Sequence, residues 1–418
     1  MKRIPSCRNQ EVAIVAPPAK AYTLRALFLS ALAQGRSTIQ RPLLGDDQQH
    51  AMECLRRLGI SISCGPDEIA VEGRGGRFLP TGQELDVGES GVTMNFLTTL
   101  TCLCERPVVI TGTSRIMERP IQEIVEGLRQ LGCRIDYLGK EGFPPVRAHG
   151  GGIPGGQARL RGDITSQYFS AIAVAAPFAR RPVRVQCLGP MTERPYLSIT
   201  LSMMADFGVV ATNRDFQELL IPNEAGYHPR MTLIEGDYSS AAFFFEAAAI
   251  CRMRVTVTGL KPDSIQGDRR MLELLKKMGC RVTESERAVT LEGATLHGIE
   301  TDMADTPDLV PPVAVAAAFA QGTTRLTGVG HLRHKECDRL AVIVSELAKM
   351  GIRASCDGST LTVCGGTPRA ARIAPHNDHR IAMSFAVAGL ALDGQEIEDE
   401  GCVAKSFPQF WQALSEFV

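Results

Sequence analysis

The stretch Gly236-Asp237-Tyr238-Ser239-Ser240-Ala241-Ala242-Phe243-Phe244-Phe245-Glu246-Ala247-Ala248-Ala249-Ile250 decides the fold. A polar cluster of Gly, an acid and hydroxyl residues opens it, and a small-residue apolar run follows. The run has the length and composition of a helix, and its alanines let neighbouring helices approach closely. The same arrangement recurs along the chain. Its other polar clusters are Lys20-Ala21-Tyr22-Thr23-Leu24-Arg25, Gly88-Glu89-Ser90-Gly91, Gly162-Asp163-Ile164-Thr165-Ser166-Gln167, Asp305-Thr306-Pro307-Asp308 and His376-Asn377-Asp378-His379-Arg380. The spacing is roughly 70 residues, longer than a simple solenoid repeat but read in the same way.

The rest of each unit repeats as well. A β-rich segment runs into a glycine at Val108–Gly112, Val183–Gly189, Val255–Gly259 and Thr324–Gly328. A second helix then ends in Leu58-Gly59, Leu131-Gly132, Phe207-Gly208, Met278-Gly279 or Met350-Gly351, where the glycine suits a C-terminal cap of positive φ. Helix and strand alternate, so the class is α/β. Six copies of one unit predict two lobes of three.

Composition excludes several functions. The chain has 418 residues and a net charge of −1, which leaves no basic footprint for nucleic acid. Its thirteen cysteines are scattered without Cys-x-x-Cys spacing, which predicts reduced thiols and no metal site. The apolar stretch Val12–Ala16 is too short for a signal peptide, and runs such as Ala171–Ala176 are too short to span a bilayer. These features predict a cytoplasmic protein that works without a membrane.

Helix starts attract anions through unpaired N–H groups and the positive end of the helix dipole. Several starts here also carry Lys, Arg, Ser or Thr. More basic residues follow the strands: Arg119, Arg194, Lys335, Arg339 and Lys405. If the lobes face each other with helix starts inward, a neutral protein gains a cationic cleft. That predicts a small substrate with several negative charges.

Eleven segments, in order along nearly the whole chain, carry a resemblance. They are Lys20–Ala26, Gly88–Met94, Arg115–Ile121, Thr165–Gln167, Arg194–Tyr196, Glu235–Ala241, Gln266–Asp268, Pro307-Asp308, Lys335–Leu340, Asn377–Ala382 and Ala404–Pro408. On these the chain resembles the enolpyruvyl transferases, most closely the branch whose acceptor is 3-phosphoshikimate. The resemblance implies transfer of the enolpyruvyl group of phosphoenolpyruvate (PEP) to a hydroxyl by addition and elimination, with no metal or other cofactor. It implies two lobes, each of three βαβαββ-like repeats, an inside-out α/β barrel. Residues 1–18 and 235–418 would form one lobe and 19–234 the other, with the active site in the cleft between them and closure on substrate binding. A monomer is expected.

By resemblance, Lys20, Arg119, Gln167 and Lys405 would hold the PEP phosphate, Arg339 and Arg380 its carboxylate, and Gly91 would leave backbone room beside PEP. Asp308, Glu336, Lys20 and His379 would be catalytic, with Asp308 taking the proton of the acceptor hydroxyl. The acceptor would lie against Arg25, Thr165, Ser166, Gln167, Glu193, Tyr196, Asp308, His331 and Lys335. Six positions depart from the family pattern. Ala21 replaces a serine, Glu193 a phosphate-binding hydroxyl residue, and His331 an asparagine. The usual Gly-Asn-x-Gly-Thr-x-x-Arg reads Gly88-Glu89-Ser90-Gly91-Val92-Thr93-Met94-Asn95. An acceptor other than 3-phosphoshikimate, without its phosphate or with a cationic group, therefore stays open.

The sister transferase acting on UDP-N-acetylglucosamine carries a loop cysteine where Thr113–Glu118 has none, and the related RNA 3′-phosphate cyclases need a covalent histidine that is not apparent here. A catalytically inactive metabolite-binding relative is the rival of another class, and the retained Asp308, Glu336, Lys20 and His379 argue against it. Some of these residues also have plain structural readings. Asp308, Thr165 and Ser166 could be helix caps, and Lys335 to Arg339 a solvated charge face. Asp46-Asp47 and Gln266-Gly267-Asp268 read as structural.

Overall fold

The computed structural model describes residues 1–223, 226–286 and 288–418. The chain divides into two compact units, Met1–Ala19 with Glu235–Val418, and Lys20–Ile234. Among the described residues there are six separate open sheets, five of four strands and one of three.

The discontinuous unit is built around helices Tyr238–Cys251, Val310–Ala318 and His379–Gly389, which pack on one another pairwise. Every residue of the second and third is buried, as is Tyr238–Ile250 of the first. A helix with no polar stripe has nowhere to go but the interior. Phe243, Phe244 and Phe245 are at most 1 % exposed, and Phe244 stacks on Phe417 at 6.1 Å between ring centroids. Each such burial contributes about 1.5–3 kcal/mol.

The sheets flank these helices and share one plan. Strand Arg254–Thr258 pairs in parallel with Glu11–Val15 and antiparallel with Ala288–Glu292, which turns back to Arg281–Glu284. Glu300–Asp302, Thr323–Thr327, Thr360–Cys364 and Arg353–Asp357 repeat the plan. The third copy is shortened to Lys2–Arg3, Glu396–Ile397 and Arg372–Ile373. Strands alternate buried and exposed residues, as in Arg254–Thr258, because one face covers the helices and the other meets water.

The continuous unit repeats this with helices Lys20–Leu32, Gly91–Leu100 and Gln167–Ala175, again buried beyond their first turn. Its first sheet takes its outer parallel strand, Met231–Leu233, from the end of the unit. The outer helices are amphipathic, as Asp46–Arg57 and Gln122–Gln130 show, and they end at the glycines read from the sequence. Gly59 has φ +83° and Gly279 φ +116°, a region that costs glycine nothing.

The helix starts are capped by their own polar clusters. The Asp378 carboxylate accepts from the N–H groups of Arg380 (2.9 Å) and Ile381 (3.4 Å). Ser90 accepts from Thr93 N–H (3.3 Å) and Asp237 from Ser239 N–H (3.3 Å). These caps bring the charged residues of each cluster to the same end of the unit's central helices.

Candidate active site

In the discontinuous unit five residues read as site candidates form one ionic cluster, its cations buried and its carboxylates Asp308 and Glu336 partly exposed. Arg339, 1 % exposed, starts the helix Arg339–Lys349, for which Asp338 is the cap. Its Nη1 donates to Asp308 Oδ1 (2.9 Å), its Nη2 to Glu336 Oε2 (2.8 Å) and its Nε to Asp378 Oδ2 (2.7 Å). Arg380 Nη2 lies 2.7 Å from Asp308 Oδ2, and Lys405 Nζ 3.3 Å from Glu336 Oε1. Planar guanidinium and carboxylate groups suit such paired bonds. The cluster holds two candidate proton carriers, Asp308 and Glu336, at opposite ends of one rigid fork.

This geometry corrects two plain readings. Asp308 lies in the turn Pro307–Leu309 with both carboxylate oxygens on arginines, so it is more than a cap. The Lys335–Arg339 segment is no solvated charge face, because Glu336, only 11 % exposed, is bonded to the buried Arg339 guanidinium. His379 is the first residue of its helix and 1 % exposed; His331 lies in the turn Gly330–His334, and Lys335 stands directly ahead of Glu336. Asp378, which no motif role singles out, joins the cluster through Arg339 while it caps the helix that carries Arg380.

The continuous unit carries a second set. Lys20 Nζ lies 2.7 Å from Asp47 Oδ2, so the Asp46-Asp47 pair read as structural contributes a partner to a site candidate. A Cβ on Gly91 would come within 2.7 Å of Arg119 Nη2, so the room above this glycine belongs to the Arg119 guanidinium. Asn95 Nδ2 donates to Gln167 Oε1 (3.1 Å) and fixes the Gln167 amide.

Around Thr165 and Ser166 the chain uses its own groups. The Thr165 hydroxyl donates to Glu193 Oε2 in a short bond and accepts from Gln167 N–H (3.3 Å), which is a capping role as well. The Ser166 hydroxyl donates to the Glu193 carbonyl (2.8 Å). Glu193 is 1 % exposed and has φ +58°, a left-handed conformation at the start of helix Arg194–Asp206.

Arg25 is a further departure. It is 1 % exposed, and its three nitrogens donate to Thr200 Oγ1 (2.7 Å), the Ala21 carbonyl (3.0 Å) and the Tyr196 carbonyl (3.0 Å). Burial pulls its pKa down to about 10. Its guanidinium ties helix Lys20–Leu32 to helix Arg194–Asp206, and Tyr196 enters through its carbonyl.

Guanidinium and ammonium groups braced against ionisable carboxylates are the chemistry of a class: enzymes that hold small anions and move protons. The comparisons narrow it. The family model for EPSP synthase (3-phosphoshikimate 1-carboxyvinyltransferase) matches residues 7–414. A 3-phosphoshikimate 1-carboxyvinyltransferase of Methanoregula boonei is 42 % identical over 417 residues, covering 99 % of each chain. That of Actinobacillus pleuropneumoniae serotype 5b is 38 % identical over 96 % of this chain and 95 % of its own. The solved EPSP synthase of Acinetobacter baumannii superimposes with a TM-score of 0.82 at 27 % identity, covering 99 % of this chain and 97 % of that one. The chain belongs to the EPSP synthase family.

Proposed function

We propose that this protein transfers the 1-carboxyvinyl group of PEP to a hydroxyl of 3-phosphoshikimate and releases phosphate. The observation that carries the reading is the end-to-end match to relatives named for this activity, at up to 42 % identity. The ionic cluster supports it chemically. In the addition step the acceptor oxygen bonds to C2 of PEP, its proton leaves, and a proton is added at C3. Elimination then breaks the C2–O bond to phosphate and removes a proton from C3. Asp308 takes the hydroxyl proton, and Glu336 with Lys20 serves C3. Arg339 and Arg380 meet the donor carboxylate. Lys20, Arg119, Gln167 and Lys405 meet its phosphate, Gly91 leaves space for Arg119, and His379 assists proton transfer. A cationic set of this kind stabilises the anionic addition step without a metal. Tyr196, His331, Lys335, Thr165 and Ser166 would line the acceptor, with Arg25 bracing that wall from within. We further propose a cytoplasmic monomer. No helix among the described residues is long and apolar enough to cross a membrane.

One observation favours a second reading of the acceptor. The buried Glu193 carboxylate already holds the Thr165 hydroxyl. A carboxylate about 4 Å from a phosphate charge costs roughly 4 kcal/mol at an effective dielectric near 20, about a thousandfold in affinity. A shikimate-like acceptor without the phosphate, or with a cation in its place, avoids that cost. Phosphate release from PEP, measured with 3-phosphoshikimate and with shikimate separately, separates the readings. Turnover with 3-phosphoshikimate supports the first; turnover with shikimate alone supports the second. If Glu193 opposes the phosphate, Glu193→Ser lowers KM for 3-phosphoshikimate at least tenfold. An unchanged KM removes the case for the second reading.

A further inference from the structure

Helix Tyr238–Cys251 begins among carboxyl groups that the roles above leave unused. Asp237 caps it and accepts the Ser240 hydroxyl on Oδ2 (2.6 Å). The Ser239 hydroxyl turns the other way and donates to Asp268 Oδ2. Asp268 is 3 % exposed, and its Oδ1 is buried with no hydrogen-bond partner among the described residues. The turn Gly267–Arg270 that carries it is tied to the helix start by Gln266. The Gln266 Oε1 accepts Tyr238 N–H (2.9 Å), and its Nε2 donates to the Gly236 carbonyl (2.8 Å) and Glu235 Oε1 (2.6 Å). Those bonds fix the backbone that carries the Asp268 carboxyl against the helix start. One hydroxyl donor is too little to hold a buried carboxylate as an anion.

The charges that act on Asp268 come from three elements. They are Asp308 on the turn Pro307–Leu309, Arg380 on helix His379–Gly389, and Asp237 at the helix start. Arg380 is also the guanidinium bonded to Asp308 Oδ2 and the cation that acts on Asp237. Three carboxyl groups thus draw on one arginine.

We propose that Asp268 is a positioning residue for Asp308: by keeping or releasing its own proton it sets how fully Arg380 neutralises Asp308, and so how readily Asp308 takes a proton. This rests on Asp308 being the base for the acceptor hydroxyl. Burial, and then the Asp308 charge, push the Asp268 carboxyl up to about 7, against the pull of Arg380 and Ser239. Asp268 therefore keeps its proton well above the usual carboxylate range, and its ionisation is linked to that of Asp308. Ionised, it sets a second negative charge near Asp308, which holds a proton more tightly and is the stronger base. Protonated, it leaves Arg380 to Asp308, which becomes the weaker base. Such a pair titrates in linked steps.

Asp268→Asn keeps the shape and an acceptor for Ser239 but cannot ionise. The first readout is a 13C titration of the aspartate carboxyls in the full chain, with Asp268 assigned by the signal lost in that variant. In Asp308→Asn the Asp268 titration moves down by about half a pH unit or more. A titration that does not move overturns the proposal, whatever the acceptor. The second readout is the pH profile of kcat/KM for phosphate release from PEP with 3-phosphoshikimate. The wild-type profile carries an inflection where Asp268 ionises, and in Asp268→Asn that inflection is lost while the acid limb below it stays in place. A profile that superimposes on the wild type, or a uniform loss of rate that keeps the inflection, overturns the proposal. If the wild type fails to turn over 3-phosphoshikimate, the proposed function fails, and the carboxyl titration still decides this inference.

Discussion

Arg339 carries three carboxylates on one planar group, and its burial makes those bonds selective for arginine. A lysine ammonium is a point charge and cannot span Asp308, Glu336 and Asp378 in a fixed plane. Another buried charge in the same unit has no such partner. Glu246 is fully buried in helix Tyr238–Cys251, and neither carboxyl oxygen has a hydrogen-bond partner among the described residues. Burial raises its pKa well above the usual carboxyl value. Because the folded pKa is the higher one, the stabilising contribution is complete below the unfolded value of about 4.3. It is lost as pH rises towards the folded pKa, at about 1.4 kcal/mol per pH unit, since only the unfolded chain ionises. Glu246→Met should therefore raise the urea midpoint more at pH 8 than at pH 5. Equal gains at the two pH values would show that the carboxyl titrates normally.

At the scale of elements, a close approach recurs that the repeat pattern alone did not disclose. A Cβ on Gly73 would stand 2.1 Å from the Ser30 carbonyl, on Gly293 2.0 Å from the Ala248 carbonyl, and on Gly365 2.0 Å from the Ala320 carbonyl. In each case the end of a hairpin strand lies against the last turn of a central helix, or just beyond it. Only glycine fits, because the obstacle is backbone and cannot rotate away. Gly293→Ala should cost about 1–3 kcal/mol or more in unfolding free energy. Ala288→Gly, on the same strand but away from the helix end, supplies the comparison for propensity alone. A loss at Gly293 no larger than that would mean that strand and helix separate freely. The helix C-terminal glycines were legible because their positive φ is a local demand. These strand glycines were not, since their reason is a carbonyl distant in sequence.

For the whole molecule, the residues between Lys20 and Ile234 contain three complete sheets and three central helices, with every strand of those sheets drawn from within the unit. The other unit needs Glu11–Val15 as a sheet edge and Lys2–Arg3 against Glu396–Ile397. A fragment of residues 20–234 should therefore fold by itself, with native-like circular dichroism and one cooperative urea transition. A broad, non-cooperative loss of signal would show that its core is not self-sufficient.

The sequence by itself determined the α/β class, the sixfold repeat, the small-residue central helices with the polar clusters at their starts, the glycine stops of the outer helices, and the family. All of these rest on local periodicity, backbone preference or ordered motifs. It also singled out Asp308, Glu336, Arg339, Arg380 and Lys405. Only the tertiary structure decided what those groups do to one another. It turned Arg25 inward onto two carbonyls, set Glu193 on Thr165, put Arg119 over Gly91, and joined Asp308, Glu336 and Asp378 on one arginine. The physical reason is that such a cluster depends on burial and on partners distant in sequence, as Asp308 and Asp378 are from Arg339. No local pattern in the chain records either one.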